Sequence, residues 1–213
     1  KVPFMIEPAS YVEDGYIIWA GEKLLPTSEV GMIGVHNLEN ICAALTALEH
    51  CMQRKGMTPS EHRKDVSGVI REFKGLEHRL EFVRTIKGVQ FYNDSFSTMP
   101  AAAMAAIRAF SNPIVMIVGG VDKNVDVAKL ALALTGCKSV LLIGKIAPKL
   151  KELLDAENYT SAQVIKGDMK AIVQAARDRT EPGDIVLLSP GTSSFDMFAS
   201  YKDRGNQFKK VVN

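Results

Sequence analysis

The sequence holds only three cysteines, Cys42, Cys51 and Cys137, in 213 residues. Their odd number and the lack of any Cys-x-x-Cys pair exclude a disulfide scaffold and point to reduced thiols, core filler rather than chemistry, in a cytoplasmic protein. No apolar run approaches the roughly 20 residues that span a bilayer, and no basic segment leads into an apolar one at the amino terminus, so no anchor and no export signal are expected. Charge of one sign is missing too. Twenty-six Lys and Arg against 24 Asp and Glu give a formal net charge of +2, which excludes nucleic acid or a membrane surface as the main partner and makes any anion site local.

Several catalytic motifs are absent as well. Gly144-Lys145 has the look of a Walker loop ending, but Ser139 stands where its first glycine belongs and Ile146 where its Ser or Thr belongs; no P-loop is present. No Gly-x-Gly-x-x-Gly fingerprint follows any strand signal. A nucleophile-elbow hydrolase needs a histidine after its serine, and the last histidine is His78. His36, His50, His62 and His78 show no paired metal-ligand spacing.

What is present is a chain with 46% hydrophobic residues, enough to bury a real core. Tyr11 to Ile33 is short-period and turn-punctuated, with Tyr16–Trp19, then Ala20-Gly21-Glu22-Lys23, then Leu24-Leu25 giving a hairpin and a following edge strand. From Asn37 to Lys55 apolar residues recur at helical spacing, with Gly56 as the stop, and a second helix is expected over Ser60–Phe73. These segments offer little sheet to pack on, so residues 1–75 resemble the end of a larger domain, and the opening at Lys1 fits a fragment or processed chain. After Gly75 strand signals fall at Leu80–Ile86, Val89–Tyr92, Ile114–Val118, Ser139–Ile143, Gln163–Ile165 and Ile185–Leu188, with helical patterns between the later ones. This alternation predicts, for residues 76–213, an α/β, Rossmann-like, mostly parallel sheet with helices on both faces and an antiparallel hairpin at Lys87-Gly88 on one edge.

In such a sheet ligands bind beyond the carboxyl ends of the strands, and three loops there are rich in polar groups. Asn93-Asp94-Ser95-Phe96-Ser97-Thr98-Met99-Pro100 precedes an Ala-rich helix over Ala101–Phe110; Asp94 suits ribose hydroxyls and the hydroxyls suit an anion, while Ser97 or Thr98 as an ordinary N-cap is the competing explanation. Gly119-Gly120-Val121-Asp122-Lys123 allows a close backbone approach to a ligand and brings a cation to a helix start. Ser189-Pro190-Gly191-Thr192-Ser193-Ser194 precedes a helix expected from about Phe195 and offers a cradle of hydroxyls, or again a simple cap by Ser193 or Ser194. Upstream, Asn37 suits the start of its helix, and Asn40 presents an amide one turn on. Arg79, after the Gly75 hinge, suits a phosphate or a surface ion pair with Glu77 or Glu81.

Taken together and in order, His36-Asn37 with Asn40, Phe73-Lys74-Gly75-Leu76 with His78-Arg79 and Glu81, Asn93-Asp94-Ser95 with Thr98, Gly119-Gly120 with Asp122-Lys123, Ser194-Phe195-Asp196 with Phe198, and Arg204-Gly205-Asn206-Gln207-Phe208 resemble the Mur ligases of peptidoglycan synthesis, in particular their D-glutamate-adding members. The resemblance implies that residues 1–75 are the carboxyl-terminal part of the family's central ATPase domain and 76–213 its C-terminal domain. It implies ATP, with Mg2+, as cofactor, and D-glutamate and UDP-N-acetylmuramoyl-L-alanine as substrates joined through an acyl phosphate. By motif position Asn40 would contact adenine, Arg79 the ATP phosphates and Asp94 the ribose, while Thr98, Lys123, Ser194 and Tyr201 would surround D-glutamate. Phe96 stands where the family loop commonly has Lys, and Met99 where Asn is usual. With the family's P-loop, magnesium ligands, carbamylated lysine and UDP-binding domain absent, the chain by itself is expected to have no ligase activity. The alternatives are a Mur ligase adding a different amino acid and, from another class, a non-catalytic Rossmann-like module that binds an amino acid or nucleotide or serves only in assembly.

Overall fold

The computed structural model describes residues 9–121 and 126–213, in two compact units, Lys1–Gly75 and Leu76–Asn213. In the first, β1 (Tyr11–Glu13), β2 (Tyr16–Trp19) and β3 (Glu22–Pro26) form an antiparallel meander. Asp14-Gly15 and Ala20-Gly21 all take positive φ at the two tight turns, the conformation that matches the twist of paired strands. Ile17, Trp19 and Leu25 are covered by Ile41, Cys42, Leu45 and Met52 of α1 (Val35–Arg54) and by Ile70 of α2 (Arg63–Glu72). The helix expected over Ser60–Phe73 is divided, with a 3-10 turn over Pro59–His62 preceding α2. Proline at the first position of that turn has no N–H to contribute. Of the cysteines, Cys42 and Cys137 are buried, and burial pushes their thiols up to about 11 and about 12. Cys51 is exposed and so does not serve as core.

The second unit is a six-stranded sheet in the order β4-β5-β9-β6-β7-β8. Its strands are β4 (Glu81–Ile86), β5 (Val89–Asn93), β6 (Ile114–Gly119), β7 (Ser139–Ile143), β8 (Ala162–Val164) and β9 (Ile185–Leu188). Only β4 runs antiparallel, paired with β5 at one edge. Along the central strands alternate residues face opposite layers. Val115, Ile117, Leu141, Ile143, Val186 and Leu188 pack with Met169, Ile172 and Val173 of α6 (Met169–Arg177) and Phe208 and Val212 of α7 (Tyr201–Val212). The other layer is the series α3 (Pro100–Ile107), α4 (Ala128–Leu134) and α5 (Ala147–Ala156), each packed on the next.

Two helix starts differ from expectation. The residue preceding α3 is Met99, with no side-chain cap, because the Ser97 hydroxyl is committed elsewhere in its loop. The last helix begins at Tyr201 rather than near Phe195, and its cap is Ser200, whose Oγ accepts from Asp203 N at 3.1 Å. Among the described residues no helix is long and apolar enough to cross a membrane.

Leu141 is fully buried on β7, between β6 and β8. Leu141→Ala is expected to destabilise the second unit by about 3 kcal/mol, measured by urea unfolding followed through amide exchange of the β7 backbone.

Candidate functional site

The order of the strands creates the site. From β6 the chain moves outward to β7 and β8, and then returns through α6 to place β9 on the other side of β6, beside β5. Loops leaving β6 and β9 therefore diverge over a crevice at the carboxyl end of the sheet, and the loop leaving β5 lies next to them. Backbone hydrogen bonds tie all three together. Asp94 N donates to Leu188 O at 2.8 Å, Gly191 N to Ser97 O at 2.8 Å, Gly119 N to Pro190 O at 2.9 Å and Val121 N to Ser193 O at 2.8 Å.

The glycines here serve the protein's own close approaches. A Cβ on Gly119 would lie 2.0 Å from Ile143 O, and one on Gly120 2.2 Å from Ser193 O, at φ values of +127° and +142°. Both positions thus reject a side chain on steric and conformational grounds. The close approach at these glycines is made to Ile143 O at the end of β7 and to Ser193 O and Thr192 Oγ1 in the loop after β9.

Asp94 is 2% exposed. Its Oδ1 accepts from Leu80 N at 3.1 Å, and its Oδ2 from Ser189 Oγ at 2.6 Å and Ser97 Oγ at 2.5 Å. Desolvation raises its pKa, opposed by these donors and by the positive charge of Arg79. One carboxylate thus joins the start of the second unit to the loops after β5 and β9.

Arg204, on the first turn of α7, is fully buried. Its Nε donates to Ser95 Oγ at 2.9 Å and one terminal nitrogen to Ser95 O at 2.8 Å, with longer contacts of 3.4 Å to Thr192 O. No carboxylate lies within ion-pair distance among the described residues. Burial pulls its pKa down to about 10, with the field of Asp196 acting the other way. The guanidinium fork holds the loops after β5 and β9 in one geometry. Beside it Thr192 Oγ1 and Ser193 Oγ are buried and, among the described residues, have no hydrogen-bond partner, two donors unspent beside the crevice. The sequence placed Arg204 only in a closing helical segment. Gly205 was the available signal: a glycine inside a helix marks a close approach, and a Cβ there would lie 2.3 Å from His78 Nδ1.

The candidate residues separate as follows. Asp94, Thr98, Ser194 and Tyr201 sit on these loops or on the start of α7, and Thr98 and Tyr201 are half-buried while Ser194 is 2% exposed. The Tyr201 ring lies between Phe96, at 4.8 Å, and the edge of His78, at 5.9 Å, and Phe96 is 44% exposed. Arg79 forms no ion pair among the described residues; Glu77 and Glu81 are instead bonded by Lys209. Asn40 is in the first unit, on the exposed side of α1, where its Nδ2 reaches Asn37 Oδ1 at 3.4 Å. Asn37 is not the cap of that helix; Gly34 is, and Asn37 Nδ2 donates back to Ile33 O at 2.7 Å. Lys123 lies outside the described residues.

His78 is 2% exposed and accepts at Nδ1 from Asn93 Nδ2, 2.9 Å away, an arrangement that fits the neutral ring carrying its proton on Nε2. Desolvation lowers its pKa, only partly offset by Glu77. Glu77, His78 and Glu81 bring ligand-type atoms within 4.8 Å of one another, but they do not fit Mg2+. The Lys209 ammonium already bonds both carboxylates, and Mg2+ demands an oxygen octahedron that these groups do not supply.

Residues 78–192, more than half of the chain, match the family described as Mur ligase, glutamate ligase domain. The chain belongs to the Mur ligase family. It is 35% identical over 218 residues to UDP-N-acetylmuramoylalanine--D-glutamate ligase of Bacillus subtilis (strain 168), covering 100% of this chain and 46% of that protein. The ligase of the same name from Acidobacterium capsulatum is 39% identical over 215 residues, covering 98% and 44%. The chain thus spans about half the length of the curated relatives it matches. Among solved structures, FolC of E. coli in complex with ADP superposes with a TM-score of 0.59 at 20% identity, over 95% of this chain and 44% of that one. The UDP-N-acetylmuramate-alanine ligase MurC of Thermotoga maritima gives 0.59 at 14% identity, over 84% and 38%. These two likenesses are of fold.

Two measurements follow from this geometry. Because the folded-state pKa of His78 is depressed, the unfolded chain binds the proton first, so stability is full above the ordinary value of 6.5 and is lost as pH falls below it. Urea midpoints are expected to fall as pH drops below about 6.5, and His78→Asn, which tolerates the positive φ at this position, to flatten that slope. Arg204→Met, which keeps the volume but strands Ser95 O and Thr192 O, is expected to cost about 2–4 kcal/mol in the same assay.

Proposed function

We propose that this chain is the amino-acid-receiving part of an ATP-dependent ligase that adds D-glutamate to UDP-N-acetylmuramoyl-L-alanine in peptidoglycan synthesis. The observation that carries this reading is the convergence of three polar loops at the strand switch point, in a chain of this family whose relatives bear that ligase's name. Residues 1–75 are then the end of the ATPase domain and residues 76–213 the C-terminal domain.

In the proposed reaction a carboxylate oxygen of the nucleotide sugar attacks the γ-phosphorus of ATP, ADP leaves, and an acyl phosphate forms. The amine of D-glutamate then attacks the acyl carbon, phosphate departs, the amide bond closes and the amine gives up a proton to solvent. ATP and Mg2+ are required, the metal held by residues outside this chain. Arg79, free of any ion pair among the described residues, is suited to the ATP phosphates, Asn40 to the adenine edge and Asp94 to the ribose. Since Asp94 already accepts three hydrogen bonds, its main work is to fix the loop, with one lone pair of Oδ1 left for a hydroxyl. Thr98, Ser194 and Lys123 receive the carboxylates of D-glutamate, and Tyr201 closes one wall. Phe96 brings no charge to the loop, which leaves Lys123 as the cation for the acceptor.

The test is ATP-dependent incorporation of labelled D-glutamate into UDP-N-acetylmuramoyl-L-alanine by the gene product that carries this chain. Thr98→Val and Lys123→Ala are each expected to raise KM for D-glutamate about tenfold or more, since each removes a hydrogen bond to a charged group. No incorporation by the parent enzyme, or unchanged KM in both variants, would sink the assignment.

A further inference from the structure

A second cavity lies at the opposite end of the same sheet. It encloses about 570 Å³ between the β4–β5 turn, the last turn of α6 and the link into β9, within the range of small-molecule pockets. Its frame is fixed. The turn packs so tightly that a Cβ on Gly88 would lie 3.0 Å from Pro182 Cβ. Gly183 N donates to Gly88 O at 2.9 Å and Gln90 N to Asp184 O at 3.0 Å, pinning the turn to the strand that follows α6.

The walls combine two kinds of surface. Ile86, Val89, Phe91 and Pro182 supply an apolar side. Lys87 and Arg177 supply two cations. Lys87 is exposed and makes no ion pair among the described residues. Arg177 stands 5.7 Å from the centre of the Phe91 ring, and its long contacts of 3.3 and 3.4 Å go to Val211 O and Val212 O. Among the described residues its buried Nε has no hydrogen-bond partner. The one carboxylate in the lining, Asp178, accepts from Gln174 Nε2 at 2.7 Å and does not neutralise either cation. Thr180 Oγ1 is spent on Arg177 O at 2.8 Å. The lining thus sets two cations against one carboxylate, beside an apolar wall.

We infer that this cavity is a second binding site, for a small molecule with one anionic head group, carboxylate or phosphate, on an apolar body. The head group lies between Lys87 and Arg177, and the body lies along Ile86 and Pro182, over the buried Val89 and Phe91. The site is separate from the crevice, since β5 runs from Val89 at the cavity to Asn93 at the site loops, a span of about 13 Å. The inference does not depend on the ligase reading.

Three probes separate the possibilities in amide-shift titrations of the 213-residue chain: 4-phenylbutyrate, phenyl phosphate and the neutral 4-phenylbutanol. Either acid is expected to move the amides of Val89, Arg177 and Thr180 and to bind about tenfold more tightly than the alcohol, a difference expected of one charge-assisted contact. The tighter acid names the head group. Lys87→Asn, which suits the positive φ of that turn residue, is expected to remove most of the preference for charge, as is Arg177→Met. Should Arg177→Met fail to fold, Lys87→Asn alone decides. Equal binding of acid and alcohol, unchanged binding in Lys87→Asn, or shifts confined to the loops after β5, β6 and β9 would overturn the inference.

Discussion

A guanidinium removed from water and given no carboxylate must be satisfied by carbonyls and hydroxyls, and those acceptors have to be held still for it. Among the described residues Arg204 meets this condition by drawing on Ser95 and Thr192, residues of two loops nearly a hundred positions apart in the chain. Everything that faces the crevice depends on that bond set. Thr98 follows Ser95 by three residues and Ser194 follows Thr192 by two, so fixing the anchors fixes the hydroxyls. Asp94 performs the complementary task with opposite charge, receiving donors from Leu80, Ser97 and Ser189. A cation and an anion, neither paired with the other, brace the same loops from two sides.

The paired glycines are part of this bracing. Without side chains at Gly119 and Gly120 the end of β6 can lie against Ile143 O and Ser193 O, which brings the β6 loop close enough for Val121 N to bond Ser193 O. Loops carrying function are usually more mobile than their scaffold. Here the described part of each loop is held by backbone bonds to its neighbours, which suits a site whose hydroxyls must be in position before a substrate arrives.

Much of the second unit was legible in the sequence because its strands are short apolar runs bounded by turn residues, and the bounds of all six differ from expectation by no more than one residue. The edge hairpin at Lys87-Gly88 and the three polar loops were legible for the same reason: a change of period followed by hydroxyls and glycines. Local rules failed where distant residues compete. Ser97 is a plausible cap for α3 until Asp94 takes its hydroxyl, and Ser194 a plausible cap until the chain runs on to Ser200. Arg204 was invisible as an anchor because burial is a property of the packed fold, whereas a lone arginine in a polar helical segment has the signature of a solvated face.

The placement of β9 has a consequence for how the molecule is made. This strand is the last of the nine to leave the ribosome among the described elements, yet it lies in the middle of the six-stranded sheet, paired with β5 on one side and β6 on the other. Until it emerges, the inner edges of β5 and β6 have no partner, and the two halves of the sheet can be joined only through contacts that span most of the unit. Such long-range closure is slow, and unpaired apolar edges recruit other chains. The strand that completes the crevice is also the one that ends the period of greatest aggregation risk, so a nascent chain halted before Ile185 carries both an unfinished site and an open sheet.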